Sequence, residues 1–166
     1  TLTELLNIPV GEAFTGRIVN SLGEPIDGKG GIKSSANMPI FKEAPGVMER
    51  EPISEALLTG IKTIDLNIPI GKGQRELIIG DRQTGKSSIG LDTIINQRDK
   101  NVICIYCWIG GPLSGLKKSL YALKEKDALK NTIVVASTAD TSAAEQYLAP
   151  YTAAVLGEYF MDSKRD

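Results

Sequence analysis

Gln74-Arg-Glu-Leu-Ile-Ile-Gly80-Asp-Arg-Gln-Thr-Gly85-Lys86-Ser87-Ser88-Ile-Gly-Leu-Asp-Thr-Ile-Ile-Asn-Gln97 decides how this chain folds. Residues 74–79 end in a β-favouring apolar run and predict a strand. Leu91, Ile94 and Ile95 fall on one face at helical spacing and predict a helix over residues 85–97. Between them, Gly80 to Ser87 satisfies G-x-x-x-x-G-K-[ST] at every fixed position.

The spacing has a chemical reason. A loop that curls around a phosphate must aim successive backbone N–H groups inward, and side chains at Gly80 and Gly85 would block that approach. The helix that starts there adds unpaired N–H groups and a positive dipole end. Lys86 supplies a mobile charge for the β- and γ-phosphates, and the Ser87 hydroxyl can ligate Mg²⁺. The candidate ATP- or ADP-binding residues are Gly80, Asp81, Arg82, Gln83, Thr84, Gly85, Lys86, Ser87 and Ser88, with Ser87 as the candidate metal ligand. The plain alternative is a glycine turn with a solvated lysine. An apolar strand entering the loop and an amphipathic helix leaving it weigh against that.

Outward from the loop, residues 102–109 read as a second strand. Leu116, Leu120 and Leu123 mark a helix with Ser114 as its cap, and residues 131–136 read as a third strand. The capping box Ser142-x-x-Glu145 opens a last helix carrying Tyr147, Tyr151, Val155 and Tyr159, which Pro150 should kink or split. The alternation predicts an α/β fold, a P-loop NTPase (RecA-like) parallel sheet with flanking helices. A sheet of this kind expects a further strand after its final helix, so the fold is read as truncated. Upstream, residues 53–58 read as a short helix closed by Gly60, and residues 61–66 as extended or turn-like. Residues 1–40 are rich in Gly and Pro, with one short strand over 13–19, a β/turn-rich entry segment rather than a domain.

Composition narrows the function. With 166 residues, 42% hydrophobic and 23% charged, the chain can bury a core. Its 19 basic and 20 acidic residues leave no basic stripe for nucleic acid or a lipid surface. No apolar run approaches the ~20 residues of a membrane helix. The first residue is Thr1 and no signal pattern follows, so the chain reads as an internal segment of a longer protein. It contains no histidine, which excludes His-dependent triads, dyads and metal sites within it. Cys104 and Cys107 form a C-x-x-C string, but residues three apart on a strand face opposite ways, so they read as two small buried hydrophobes.

Gly71-Lys-Gly-Gln-Arg-Glu-Leu-Ile-Ile-Gly-Asp-Arg-Gln-Thr-Gly-Lys86 closely resembles the alpha-subunit family of F-type ATP synthases. Asp81-Arg82-Gln83 discriminates, because beta subunits usually read G-G-A-G-V-G-K-T there. The likeness extends in register through Gly11-Glu12, Gly16-Arg17, the string from Gly23 to Gly30, Thr59-Gly-Ile-Lys-Thr-Ile-Asp65, Asp92-Thr-Ile-Ile-Asn-Gln97, Thr132-Ile-Val-Val135, Gln146-Tyr-Leu-Ala-Pro-Tyr151 and Gly157-Glu-Tyr-Phe160.

The resemblance implies an alpha subunit alternating with beta subunits in a ring, with the central-stalk gamma and peripheral-stalk delta/b subunits as further partners. It implies Mg-ATP bound without turnover, no catalytic residue in this chain, and enzyme activity only as part of a proton-transporting two-sector ATPase. It also implies a peripheral position on an energy-coupling membrane through partner subunits, on the cytoplasmic face of a bacterial plasma membrane or in a plastid or mitochondrion. Residues 1–8 would be the end of an N-terminal β-barrel, 9–52 a connector and entry segment, and 53–166 a partial nucleotide-binding domain.

Two departures stand out: Gly111 takes the place of a usual Gln, and Trp108 replaces a small residue. Asp92, Asp140 and Glu158 are acidic candidates by type only, and the three tyrosines of the last helix read as packing. An autonomous ATPase of a related hexameric motor and an inactive fragment are the competing readings. The loop without the rest of its site predicts weak nucleotide binding.

Overall fold

The computed structural model describes residues 6–163 and 165. In chain order its elements are β1 (Asn7–Val10), β2 (Ile18–Val19), β3 (Ala36–Pro39), β4 (Ala56–Leu57), α1 (Lys62–Asn67), β5 (Ile70–Gly71), α2 (Lys86–Gln97), β6 (Cys104–Ile109), α3 (Leu113–Glu125), β7 (Thr132–Ser137) and α4 (Ala143–Asp162).

The centre is β7, whose Thr-Ile-Val-Val-Ala-Ser run is buried at every position. A strand covered on both faces needs such a continuous β-branched and apolar sequence. It pairs in parallel with β6 from Cys104↔Thr132 to Ile109↔Ser137, and on its other edge with β2 through Ile18↔Val134 and Val19↔Val135. Alternation along β7 then separates two layers. Ile133 and Val135 pack with Ile8, Val10, Leu156 and Phe160, on the side covered by α4 and the antiparallel pair β1–β3. Val134 and Ala136 pack with Leu116, Leu120, Tyr106 and Trp108, on the side of α3. Each fully buried Leu, Ile or Val contributes about 1.5–3 kcal/mol over an exposed one.

The turn-rich entry segment is tied down by charge. The Arg17 guanidinium grips Asp27 through two hydrogen bonds of 2.6 and 2.9 Å and donates a third to the Gly30 carbonyl at 2.7 Å. These bonds from Arg17, aided by backbone donors from Lys29 and Ile18, hold the Asp27 carboxyl well below the usual carboxylate range against its desolvation. A strand as short as β2 is thereby held beside β7.

Helix α4 begins as its sequence requires. The Ser142 hydroxyl accepts from Glu145 N at 3.2 Å, and the Glu145 carboxylate accepts from Ser142 N at 3.0 Å. Pro150 does not split the helix, which continues through it to Asp162. Tyr159 packs edge-on against Phe160, while Tyr147 and Tyr151 stack near the surface beside Phe41.

Several expectations give way. Residues 13–19 are not one strand: Glu12–Phe14 is a single 3₁₀ turn that buries Phe14, and only Ile18–Val19 reaches the sheet. Residues 53–58 are not a helix, because pairing of Ala56 with Gly71 and Leu57 with Ile70 overrides the helical preference of Glu, Ala and Leu. Residues 62–67 are helical rather than extended, since the Asp65 carboxylate gathers the N–H groups of Thr59 and Gly60 ahead of that turn. Ser114 lies inside the first turn of α3, whose N-cap is Pro112. Residues 74–79 form no strand: they meet no ladder partner among the described residues, and β2 supplies the third strand of the parallel sheet instead.

Candidate functional site

The glycine loop enters α2 through a sharp reversal. Gly85 caps the helix in the left-handed region at φ 94°, and Gln83, a non-glycine, also has positive φ at 63°. Ile89 N donates to Gly85 O at 3.1 Å and closes the first helical turn. Left-handed residues alternating with right-handed ones make concave runs of backbone N–H groups that suit an anion. A Cβ on Gly80 would sit 3.1 Å from Thr84 Oγ1, so bare backbone is needed there for close approach within the loop. At Gly85 a Cβ would meet open space, and glycine is required instead by φ.

Lys86 turns back over the loop. Its Nζ donates to Gly80 O at 2.7 Å and to Asp81 O, and lies 3.4 Å from Thr84 Oγ1. The Thr84 hydroxyl in turn donates to Asp81 O at 2.9 Å. Gln83, Thr84, Gly85, Lys86, Ser87 and Ser88 together line a cavity of about 250 Å³ at the start of α2. Gly80, Asp81 and Arg82 stand exposed ahead of it in the chain. The cavity is lined by one ammonium, that of Lys86, and the hydroxyls of Thr84, Ser87 and Ser88, groups that can bind a polyanion.

The far end of α2 is anchored by residues that sequence reasoning did not assign. Asn96 Nδ2 and Gln97 Nε2 both donate to Leu58 O at 2.7 Å. Asp65 then holds the Thr59 hydroxyl at 2.7 Å and the Gly60 N–H at 3.0 Å, which fixes the turn that carries Leu58. Gly60 sits at φ 82°, and a Cβ on it would lie 2.8 Å from Asn96 Cγ. The usable signal was a helix ending in two carboxamides, Asn96-Gln97, because a polar side chain buried as deeply as Gln97 needs a partner.

The acidic candidates are not gathered at the loop. Asp92 is exposed further along α2, Asp140 accepts from the Thr138 hydroxyl, and Glu158 faces Lys42 across 3.9 Å. Glu145 is committed to the cap of α4. Among the described residues, no three His, Cys, Asp or Glu side chains form a metal-binding group. Cys104 and Cys107 are free thiols, and burial pushes each pKa up to about 11. Cys107 lies in the layer under α4, so alternation turns Cys104 to the other face.

At the carboxyl end of β6 the chain turns through Gly110, at φ 66°, and Gly111 into α3. Gly110 N donates to Ser137 O at 2.8 Å and Ala139 N to Gly111 O at 3.1 Å, which ties the turn to the end of β7. In open α/β sheets, ligands sit outside this end of the strands.

A parallel sheet with helices on both sides and a glycine loop opening onto a helix N-terminus defines an α/β nucleotide-binding domain of the P-loop NTPase class. The model of the ATP synthase alpha/beta family, nucleotide-binding domain, matches residues 60–166, and the chain belongs to that family. The chain is 56% identical to the ATP synthase subunit alpha of Carsonella ruddii over 163 residues. It is also 56% identical to that of Wigglesworthia glossinidia brevipalpis and 53% identical to that of Dichelobacter nodosus, each over 162 residues. Each match covers 98% of this chain, which spans about a third of those relatives' length, between 32% and 34%.

Proposed function

We propose that this chain is the nucleotide-binding part of an alpha subunit of a proton-translocating F-type ATP synthase, holding Mg-ATP without turning it over. The observation that carries the reading is the seat of Lys86. Its ammonium rests on the Gly80 and Asp81 carbonyls at the rim of the cavity that residues 83–88 line. A lysine so placed, at the first position of α2, can exchange loop carbonyls for phosphate oxygens without moving the helix.

The residues fit a nucleotide phosphate chain. Backbone N–H groups of Gln83, Thr84 and Gly85 and the Lys86 ammonium would hold the phosphates, and the Ser87 hydroxyl would hold the metal. Mg²⁺, when bound, neutralises charge on the phosphate oxygens. Asp140 is bonded to the Thr138 hydroxyl and Glu158 faces Lys42, which supports binding rather than hydrolysis. Residues 1–8 as the end of a β-barrel, 9–52 as entry segment and 53–166 as partial nucleotide domain is the division that accompanies this reading. Beta, gamma, delta and b subunits would be the partners, and the energy-coupling membrane would be reached through them. Among the described residues no helix is long and apolar enough to cross a membrane.

Titration calorimetry with Mg-ATP on the chain and on Lys86→Ala tests the proposal. Weak binding that disappears in the variant is expected. Tight binding indifferent to the substitution overturns it.

A further inference from the structure

The turn between β6 and α3 and the first turn of α3 hold two glycines, Gly111 and Gly115, whose backbone does not require glycine. Gly110 has φ 66° and needs it; Gly111 and Gly115 lie outside the left-handed region. What excludes a side chain at both is one ring. A Cβ on Gly111 would lie 2.4 Å from Trp108 Cζ2, 2.7 Å from Cε2 and 2.9 Å from Nε1. A Cβ on Gly115 would lie 2.9 Å from Cη2 and 3.0 Å from Cζ2 of the same indole. The ring cannot easily step aside, because it packs among Leu116, Val134, Ala136 and Tyr106. Its Nε1 is buried without a hydrogen-bond partner, so no polar contact draws the indole to this place. Steric fit holds it there.

We propose that Trp108 is a wedge occupying the volume of the side chains that positions 111 and 115 would otherwise carry. The three residues are then a coupled unit that keeps the turn at the carboxyl end of the sheet free of any side chain at position 111. The consequence deepens the nucleotide reading on which it rests. At that end of the sheet position 111 presents backbone alone, and a carboxylate or carboxamide has no room there while the indole is in place. Gly115 gives the clearest sign of the coupling. It is the third residue of α3, where glycine is less favourable than alanine by about the largest margin among residues other than proline. Gly90, inside α2, shows the contrast: a Cβ there would meet open space, whereas at Gly115 it would meet the indole.

The test is a set of thermal melts on the full chain, with fluorescence of its only tryptophan as a second readout. Gly115→Ala in the native background is expected to lower the melting temperature and shift the emission to the red as the indole is displaced. In the Trp108→Val background the same substitution is expected to raise the melting temperature, a reversal of sign. Gly111→Gln is expected to destabilise the native chain and to be tolerated once Trp108 is Val. Gly110→Ala, whose obstacle is φ, should destabilise both backgrounds equally. If Trp108→Val does not fold, the native-background arm decides alone. A raised melting temperature with unmoved emission for Gly115→Ala overturns the wedge, as do equal losses for Gly111→Gln in both backgrounds. The melts need no nucleotide, so failure of the wedge and failure of the nucleotide site are read separately.

Discussion

Residues 132–137 and the apolar run Leu77-Ile78-Ile79 both favour strands by sequence and have opposite fates. Ile133, Val134 and Val135 are completely buried, whereas Leu77 is 79% and Ile79 85% exposed. Side chains account for part of the difference, since residues 74–76 are Gln-Arg-Glu where β7 begins Thr-Ile-Val, and pairing accounts for the rest. Strand β7 has β6 on one edge and β2 on the other, so its backbone N–H and C=O groups are paired along both sides. Residues 74–79 meet no ladder partner among the described residues; Gln74 N donates instead to the Gly71 carbonyl at 3.0 Å, within a turn. A β-favouring sequence is a strand only where a neighbour accepts its hydrogen bonds. The outer edge of β6 carries no strand among the described residues, and beside it lies a cavity of about 380 Å³ walled by Ile103, Ile105, Phe160, Leu57 and Gly71.

The contrast can be broken most directly in the core. Leu156 on α4 is fully buried against the β6–β7 face, so Leu156→Ala is expected to cost about 2–5 kcal/mol in urea unfolding. A loss below 1 kcal/mol would mean that this half is as loosely built as the other.

The next effect is electrostatic and concerns how β2 is held. The Asp27 side chain is 3% exposed and paired with Arg17, so Asp27→Asn should cost about 2 kcal/mol at neutral pH. Its folded pKa is depressed, so the stabilisation is complete above the unfolded value of about 3.9 and drains away as pH falls below it. Melting temperatures measured from pH 7 to pH 2 should therefore converge for the native chain and the variant at the acid end. Parallel curves would show that the pair contributes nothing.

A smaller effect separates capped from uncapped helices. Ser142→Ala removes the acceptor of Glu145 N and should cost about 1 kcal/mol. Ser114→Ala, at a position with no capping bond, should change stability by less than about 0.5 kcal/mol.

What could be read in advance follows the same division. The helix over residues 85–97, the strands read at 102–109 and 131–136, found at 104–109 and 132–137, and the box at Ser142 were legible because pattern, partner and cap agree there. The glycine loop was legible as a turn into a helix, although its Lys86 seat on two carbonyls could not be foreseen from spacing. Residues 53–67 were misread in both halves. Ala56-Leu57 follows a pairing with Ile70-Gly71 across an intervening helix, and α1 depends on Asp65 reaching back to Thr59. The contribution of Ile18–Val19 to the sheet was hidden behind more than a hundred residues of intervening chain. Non-local pairing is invisible to periodicity.

The smallest expected effect is the most informative about residues 74–79. Because Leu77 and Ile79 are mostly exposed and unpaired, Leu77→Ser and Ile79→Ser should each change the stability of this chain by less than about 0.5 kcal/mol. The same two substitutions placed in β7, at Ile133 or Val135, would cost several times more, since each would bury a hydroxyl in an apolar layer. A loss of about 2 kcal/mol at Leu77 or Ile79 would show that the segment is packed as a strand in solution. The loop that follows it would then stand on a sheet edge, and the contrast between the two halves would vanish.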